Sequence, residues 1–234
     1  MPVTQLNGRL SAAAAFVRQG AVFADIGTDH AHLPIFLLKQ NRIQSAVAAD
    51  LREGPLSRAR ENAAQAGVSD RIDFRLASGL AGMEALGLTD IAICGMGGEL
   101  IASILDNAPF VRNPDIRLIL QPMTRAPHLR HYLASNGFVI QEEVVCQAAG
   151  RLYICIVSAY AGAPYTLSEA EIDCGQALLR RKPNALERAF IEERLDAARR
   201  RLDGRTAGGI QDAENRTLSL IIDTYERYLE VNPA

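Results

Sequence analysis

Five short strand-like runs, at residues 21–25, 44–50, 71–76, 90–94 and 116–121, alternate with stretches of helical character, and this alternation limits the fold more than any other feature. Most of the runs are almost wholly apolar, which fits strands buried on both faces rather than on one. Helices are expected at about 6–18, 31–39, 56–66, 99–105 and 128–135, with Gly67 and Gly137 standing where two of them would stop. Such alternation predicts a doubly wound α/β sheet, its parallel strands covered by helices on both faces.

The rhythm breaks after Gly137. Residues 138–147 and 151–160 are rich in β-formers and separated by Ala148-Ala149-Gly150, so they should pair as an antiparallel hairpin at one sheet edge. A Rossmann-like sheet finished in this way is the architecture of class I methyltransferases, an analogy of fold that does not fix function. Further on, Leu186, Phe190, Ile191, Leu195, Ala198 and Leu202 recur at helical spacing, and Leu218, Ile221, Ile222, Tyr225 and Leu229 repeat it after a break at 204–209. They predict a C-terminal α-helical hairpin of coiled-coil-like character. The expected organisation is a ligand-binding α/β domain over 1–162 and a helical domain over 163–234.

A chain with 48% hydrophobic and 22% charged residues is an ordinary globular protein, which sets aside disordered and fibrous classes. The apolar stretch at 11–17 is far short of the roughly 20 residues that span a bilayer, and no leader-type cleavage site follows a basic start, so a cytoplasmic protein without a membrane partner is expected. Cys94, Cys146, Cys155 and Cys174 stand far apart without a C-x-x-C pair and read as reduced, buried small hydrophobes; no metal is expected. The net charge of −2 is unevenly spread: residues 1–160 carry 14 basic and 14 acidic side chains, whereas 180–205 carry 9 against 5. A locally basic face attracts nucleic acid whatever the total charge, although a solvated helix face is the simpler reading of the same residues. Of the 25 basic residues only Lys39 and Lys182 are lysines, so the cationic capacity is nearly all guanidinium, which suits bidentate phosphate contacts.

In an open α/β sheet, ligands bind beyond the carboxyl ends of the strands. Asp25, Asp50, Ser78 and Cys94 each stand at or just past such an end. Gly27 lets the backbone of the first turn approach a ligand, although the turn lacks the later glycines of a G-x-G-x-x-G loop. Asp50 sits where a carboxylate can accept hydrogen bonds from both hydroxyls of a ribose, which selects a nucleoside-bearing cofactor; a helix-capping or salt-bridged surface Asp is the alternative. Cys94-Gly95-Met96-Gly97-Gly98 supplies three glycines after the fourth strand, a loop free to take unusual dihedrals beside a substrate.

The strings ADIGTDHAHLP (24–34), AADLREGPLSRARENA (48–63), ICGMGGELIASIL (93–105) and LILQP (118–122), in that order, resemble the bacterial tRNA (adenine-22-N1)-methyltransferases. These are S-adenosylmethionine enzymes of class I fold with a helical C-terminal extension. The resemblance spans residues 6–160 and extends to the tail only in character. It implies that S-adenosyl-L-methionine lies with its methionine part against Asp25, Gly27 and Thr28, its ribose on Asp50, its adenine beside Leu51 and edged by Ala77, Ser78 and Gly79, and that Cys94, Gly95 and Met96 stand between cofactor and target base. Two positions depart from the family's pattern: Ser78-Gly79 replaces the usual Asp-Gly, and Met123 stands where the family tends to have Asn.

For the activity so implied, adenine N1 already carries a free lone pair, so positioning rather than proton removal creates the nucleophile. A carboxylate accepting a hydrogen bond from the N6 amino group would stabilise the charge that develops on the ring, and Asp29 is the candidate, with His30 to orient it or the base. The pair could instead cap the following helix. A stacked base must be rotated out to react, at a cost of a few kcal/mol, so backbone contacts must hold the RNA. Arg125, His128, Arg130 and His131 flank the expected mouth, and Arg199, Arg200 and Arg201 offer a more distant grip. The expected partner is tRNA, bound by a monomer or weak homodimer. Methylation of a small molecule or protein, or an RNA-binding module without catalysis, would use the same fold.

Overall fold

The computed structural model describes residues 5–233. In chain order the elements are α1 (Gly8–Phe16), β1 (Phe23–Ile26), α2 (His32–Lys39), β2 (Ala46–Asp50), α3 (Glu53–Ala66), β3 (Ile72–Leu76), β4 (Asp90–Gly97), α4 (Gly98–Asp106), β5 (Arg117–Thr124), α5 (Ala126–Ser135), β6 (Phe138–Ala148), β7 (Arg151–Tyr160), α6 (Glu169–Asp173), α7 (Gln176–Leu179), α8 (Ala185–Ala207) and α9 (Ala213–Val231). The strands form one seven-stranded sheet in the order β3-β2-β1-β4-β5-β7-β6. Strands β1 to β5 are parallel, and β7 runs antiparallel to both β5 and β6. This is the doubly wound sheet ending in a hairpin that the alternation predicts. Strand order reverses between β1 and β4, which opens a crevice at their carboxyl ends.

Alternation along the strands divides the core between two faces. Ala24, Ile26, Ile91, Ile93, Leu118 and Leu120 pack with Ile101 and Leu105 of α4 and Leu129 and Leu133 of α5. The same cluster runs on through Leu178, Ile191, Leu195, Leu218, Ile221 and Tyr225, so the C-terminal helices share a continuous core with the sheet. On the opposite face, Phe23, Ala48, Ala92 and Ile119 pack under Ala13 and Val17, Leu33 and Leu37 of α2, and Ala59 and Ala63 of α3. Each buried Val, Leu, Ile or Phe side chain contributes about 1.5–3 kcal/mol, which is what pins the register: a one-residue slip would exchange the two faces.

Local signals explain most boundaries. Gly67 ends α3 in the left-handed conformation, and the hairpin turns on Ala149 and Gly150, both at positive φ, the backbone that a two-residue turn between twisted strands requires. Several boundaries shift from the sequence reading, two of them with structural consequences. Strand β4 does not end at Cys94 but continues to Gly97, its pairing with β5 shifted on either side of Met96, so the glycine-rich string is a bulged strand tip rather than an open loop. Helix α8 passes through Gly204 and ends only at Gly208, because Arg205 pairs with Asp212 (2.6 Å) and Glu214 (2.7 Å) across the turn and holds the last turn helical.

Among the described residues no helix is long and apolar enough to cross a membrane. All four cysteines are free; Cys146, Cys155 and Cys174 are buried and Cys94 is half-buried at the strand tips.

Candidate functional site

The tips of β1 and β2 are bound together by backbone. Gly27 N and Thr28 N both donate to Ala49 O, at 2.8 and 2.9 Å, which draws the first turn over the end of β2. Asp25, buried, accepts a 2.6 Å hydrogen bond from Thr28 Oγ1. Burial is the main reason its carboxyl is pushed up to about 6; the Thr28 hydroxyl works against the rise, and the charge on Asp50 adds to it. Gly27 has φ +75°, and a Cβ on it would overlap Met96 Cε. The turn therefore needs glycine twice, for its backbone and for its contact with the β4 tip.

Asp50 ends β2 with one carboxylate oxygen accepting from Arg52 N at 2.8 Å; its other oxygen has no protein partner among the described residues. Beside it Leu51 is 69% exposed and Leu76, at the end of β3, is 61% exposed, an apolar pair open at the crevice. Ala77 N donates to Asp50 O at 3.0 Å, and the turn continues through exposed Ser78 to Gly79, at φ +59° and in contact with Ile104.

Past Gly27 the chain takes two strained steps, His30 at φ +67° and Ala31 at φ +52°. Asp29 is exposed, within 3.3 Å of Arg58 and 3.4 Å of His30 Nε2. It does not cap α2, whose N-cap is Ala31 with no side-chain bond, so the structural reading of this pair has no support. His30 stacks on His32 at 5.3 Å, and burial, then the neighbouring His30, lowers the His32 pKa against the pull of Asp29.

On the other side of β4, Gln121 of β5 is fully buried, and its Oε1 accepts from Gly95 N at 3.2 Å and from Arg9 Nη1 at 3.1 Å. Arg9 Nη1 also meets Met123 Sδ at 3.0 Å, and its guanidinium lies 5.3 Å from the Tyr153 ring centre. Arg9 and Tyr153 carry no site expectation in the sequence and Gln121 enters only within the LILQP string; the further signal is a basic residue in the first turn of a helix, where the dipole disfavours it. Burial pushes the Cys94 thiol well up, so it stays protonated at neutral pH.

The residues expected to hold a substrate divide. Arg125, at φ +57° and 3.6 Å from Glu99, directly follows the tip of β5, and His128 and His131 are exposed on α5 behind it. Arg130 does not: it is fully buried, paired with Glu143 at 2.7 Å, and donates to the carbonyls of Ile172, Asp173 and Cys174, so it cannot meet an RNA. Arg199 pairs with Glu226 at 2.6 Å and Arg201 with Glu214, leaving Arg200 alone of the three without an ion pair among the described residues. The basic face expected along α8 is thus largely neutralised by α8 itself and its neighbours.

Residues 6–156 match the methyltransferase-domain family. The tRNA (adenine(22)-N(1))-methyltransferase of Bacillus subtilis is 34% identical over 154 residues, 66% of this chain and 65% of that enzyme. Streptococcus pneumoniae Sp1610, solved in complex with S-adenosyl-L-methionine, is 33% identical, with 94% of this chain and 98% of that one covered at a TM-score of 0.78. The crystal structure of the B. subtilis M1A22 tRNA methyltransferase TrmK superposes with a TM-score of 0.81 at 27% identity, covering 98% of this chain and 99% of that one, C-terminal helices included. With its strand order, its glycine turn and its acid at the tip of β2, the chain belongs to the tRNA (adenine(22)-N(1))-methyltransferase family.

Proposed function

We propose that the chain methylates N1 of an adenine in tRNA, position 22 by kinship, with S-adenosyl-L-methionine as methyl donor. The observation that carries this is the match to the B. subtilis enzyme's structure over 98% of the chain, which includes the helical tail as well as the sheet.

The residues present fit the donor. Asp50 offers an unpartnered oxygen to a ribose, Leu51 and Leu76 offer exposed apolar surface to an adenine, and the buried Asp25 offers a carboxylate to the cationic methionine end. Gly27 and Thr28, with Ala77, Ser78 and Gly79, complete its cradle, and Cys94, Gly95 and Met96 divide it from the acceptor. When bound, S-adenosylmethionine supplies an electrophilic methyl group. The chain's own part is to bring N1 into line with it, which in oriented reactions supplies about 7–11 kcal/mol. Asp29 accepts a hydrogen bond from the N6 amino group and stabilises the charge arriving on the ring, with His30 holding that carboxylate from the side. Arg125 and His128 hold the displaced strand, with Arg200, the one of the three clustered arginines on α8 without an ion pair among the described residues, as a contact from the tail; Arg130, Arg199 and Arg201 serve the fold.

Incubation with labelled S-adenosylmethionine and unmodified bacterial tRNA, followed by mapping, should give one N1-methyladenosine. Label elsewhere in the RNA would overturn the position, and no label in RNA would overturn the activity.

A further inference from the structure

Arg9 has no counter-ion among the described residues, and it stands in the first turn of α1, against the positive end of that helix. Its place is nevertheless closely fixed. A Cβ on the preceding Gly8 would overlap Gln147 O, so the start of α1 is pressed against β6. Arg9 Nη1 is held by the buried Gln121 amide, whose Nε2 donates to Pro122 O at 3.1 Å and whose Oε1 is shared with Gly95 N. Tyr153 lies beneath the guanidinium, on the strand whose ladder sets Leu120 opposite Ile156 and so brings Tyr153 level with Met123. Nε and Nη2 have no protein partner among the described residues. The result is a half-buried, preorganised cation with open donors at the tips of β4, β5 and β7, on the side of Met96 away from the glycine turn.

We propose that Arg9 binds a phosphodiester of the acceptor strand beside the target nucleotide, and so is a substrate-positioning residue; this rests on the tRNA reading above. A phosphate takes two parallel N–H donors from a guanidinium and has the charge that both Arg9 and the start of α1 lack. The base itself is the wrong partner, because N1 methylation leaves the ring cationic and a guanidinium stacked on it would oppose the transfer. Arg9 combines a rigid anchor, open donors and a place at the strand tips, whereas Arg130 is buried and Arg199 and Arg201 are ion-paired.

The test is equilibrium binding of unmodified tRNA to the full chain across a salt series, with Arg9→Gln and Arg9→Lys, and with calorimetry of S-adenosylmethionine binding as a control on the fold. Arg9→Gln should weaken tRNA binding about tenfold at moderate salt and lower the slope of log affinity against log salt by about 0.7 to 0.9, while Arg9→Lys keeps the slope. Cofactor affinity should be unchanged in both. Affinity and slope equal to wild type would overturn the proposal. So would weaker binding with an unchanged slope, which would assign Arg9 to holding Gln121 and the β4 tip. Wild-type protein that binds tRNA but transfers no methyl group would overturn the proposed activity and leave the Arg9 comparison readable; wild-type protein that binds no tRNA would overturn both.

Discussion

Replacing Arg130 by Met should cost stability and leave RNA affinity alone. The guanidinium and the Glu143 carboxylate are both fully buried at 2.7 Å, and the remaining donors satisfy the carbonyls of Ile172 (3.1 Å), Asp173 (3.0 Å) and Cys174 (2.8 Å). Glu143 also accepts from Ala177 N at 3.0 Å, so the pair fastens α6 and α7 to α5 and β6. Removing one partner of a buried ion pair costs about 3–5 kcal/mol, because the other charge is left without compensation. Three carbonyls lose their donor as well, which places Arg130→Met at the upper end, about 5 kcal/mol, comparable with the whole stability of many domains. Urea unfolding followed by circular dichroism measures this. The double variant Arg130→Met/Glu143→Leu should recover at least about 1 kcal/mol, since it removes the stranded carboxylate while the three carbonyls and Ala177 N remain unpaired. An unfolding midpoint equal to wild type, with tRNA affinity reduced, would refute the reasoning and restore Arg130 to the RNA surface.

Three further outcomes are expected. Asp50→Ala should weaken S-adenosylmethionine binding about 30- to 100-fold, the equivalent of 2–3 kcal/mol for charged hydrogen bonds, with the circular dichroism spectrum unchanged; calorimetry decides. Asp25, whose folded pKa is raised from 3.8 to about 6, binds its proton more tightly in the folded state, so stability from this group is full below pH 4 and lost as pH rises to 6, by about 3 kcal/mol. Thermal melts between pH 4 and 7 should show that loss and Asp25→Asn should abolish it, while cofactor affinity in the wild type rises through the same window as the carboxylate ionises. Arg200→Glu should weaken tRNA binding several-fold without changing the unfolding midpoint, whereas Arg201→Glu should lower the midpoint through repulsion with Glu214; equal effects on both measurements would contradict the division of the helix into paired and free cations.

The sheet was readable because its strands carry their own burial pattern and its turns carry their own glycines. Family strings then point to the cradle proposed at the β1 and β2 tips, since the residues proposed to meet a cofactor there are local in sequence: Asp25, Gly27 and Thr28 lie within one turn. What sequence missed depends on contacts between distant residues. Arg199 meets Glu226 across a hairpin, and Arg9 meets Gln121 across 112 positions, so neither the neutralised helix nor the anchored guanidinium can be read from a local window. Arg130 is an intermediate case. It lies on the same helical face as Leu133 and Ala134, three and four positions on, and both are buried, so periodicity gave a reason to place it inside that its charge obscured.

The bulged tip of β4 joins the two halves of the crevice. Met96 packs against Gly27, on the side proposed for the cofactor, while Gly95, at φ +83°, donates to the Gln121 amide that also holds Arg9, on the side proposed for the acceptor. The non-glycine residues forced to positive φ at the carboxyl ends of the parallel strands, His30 and Ala31 beyond β1 and Arg125 beyond β5, flank this tip on either hand. Such conformations cost about 1–3 kcal/mol each and persist only where surrounding structure holds them, which makes the two turns rigid before any ligand arrives. A reaction whose rate comes from alignment needs that rigidity. Its donor and acceptor are then set from opposite sides of two adjacent residues, so a shift of the β4 tip misplaces both at once.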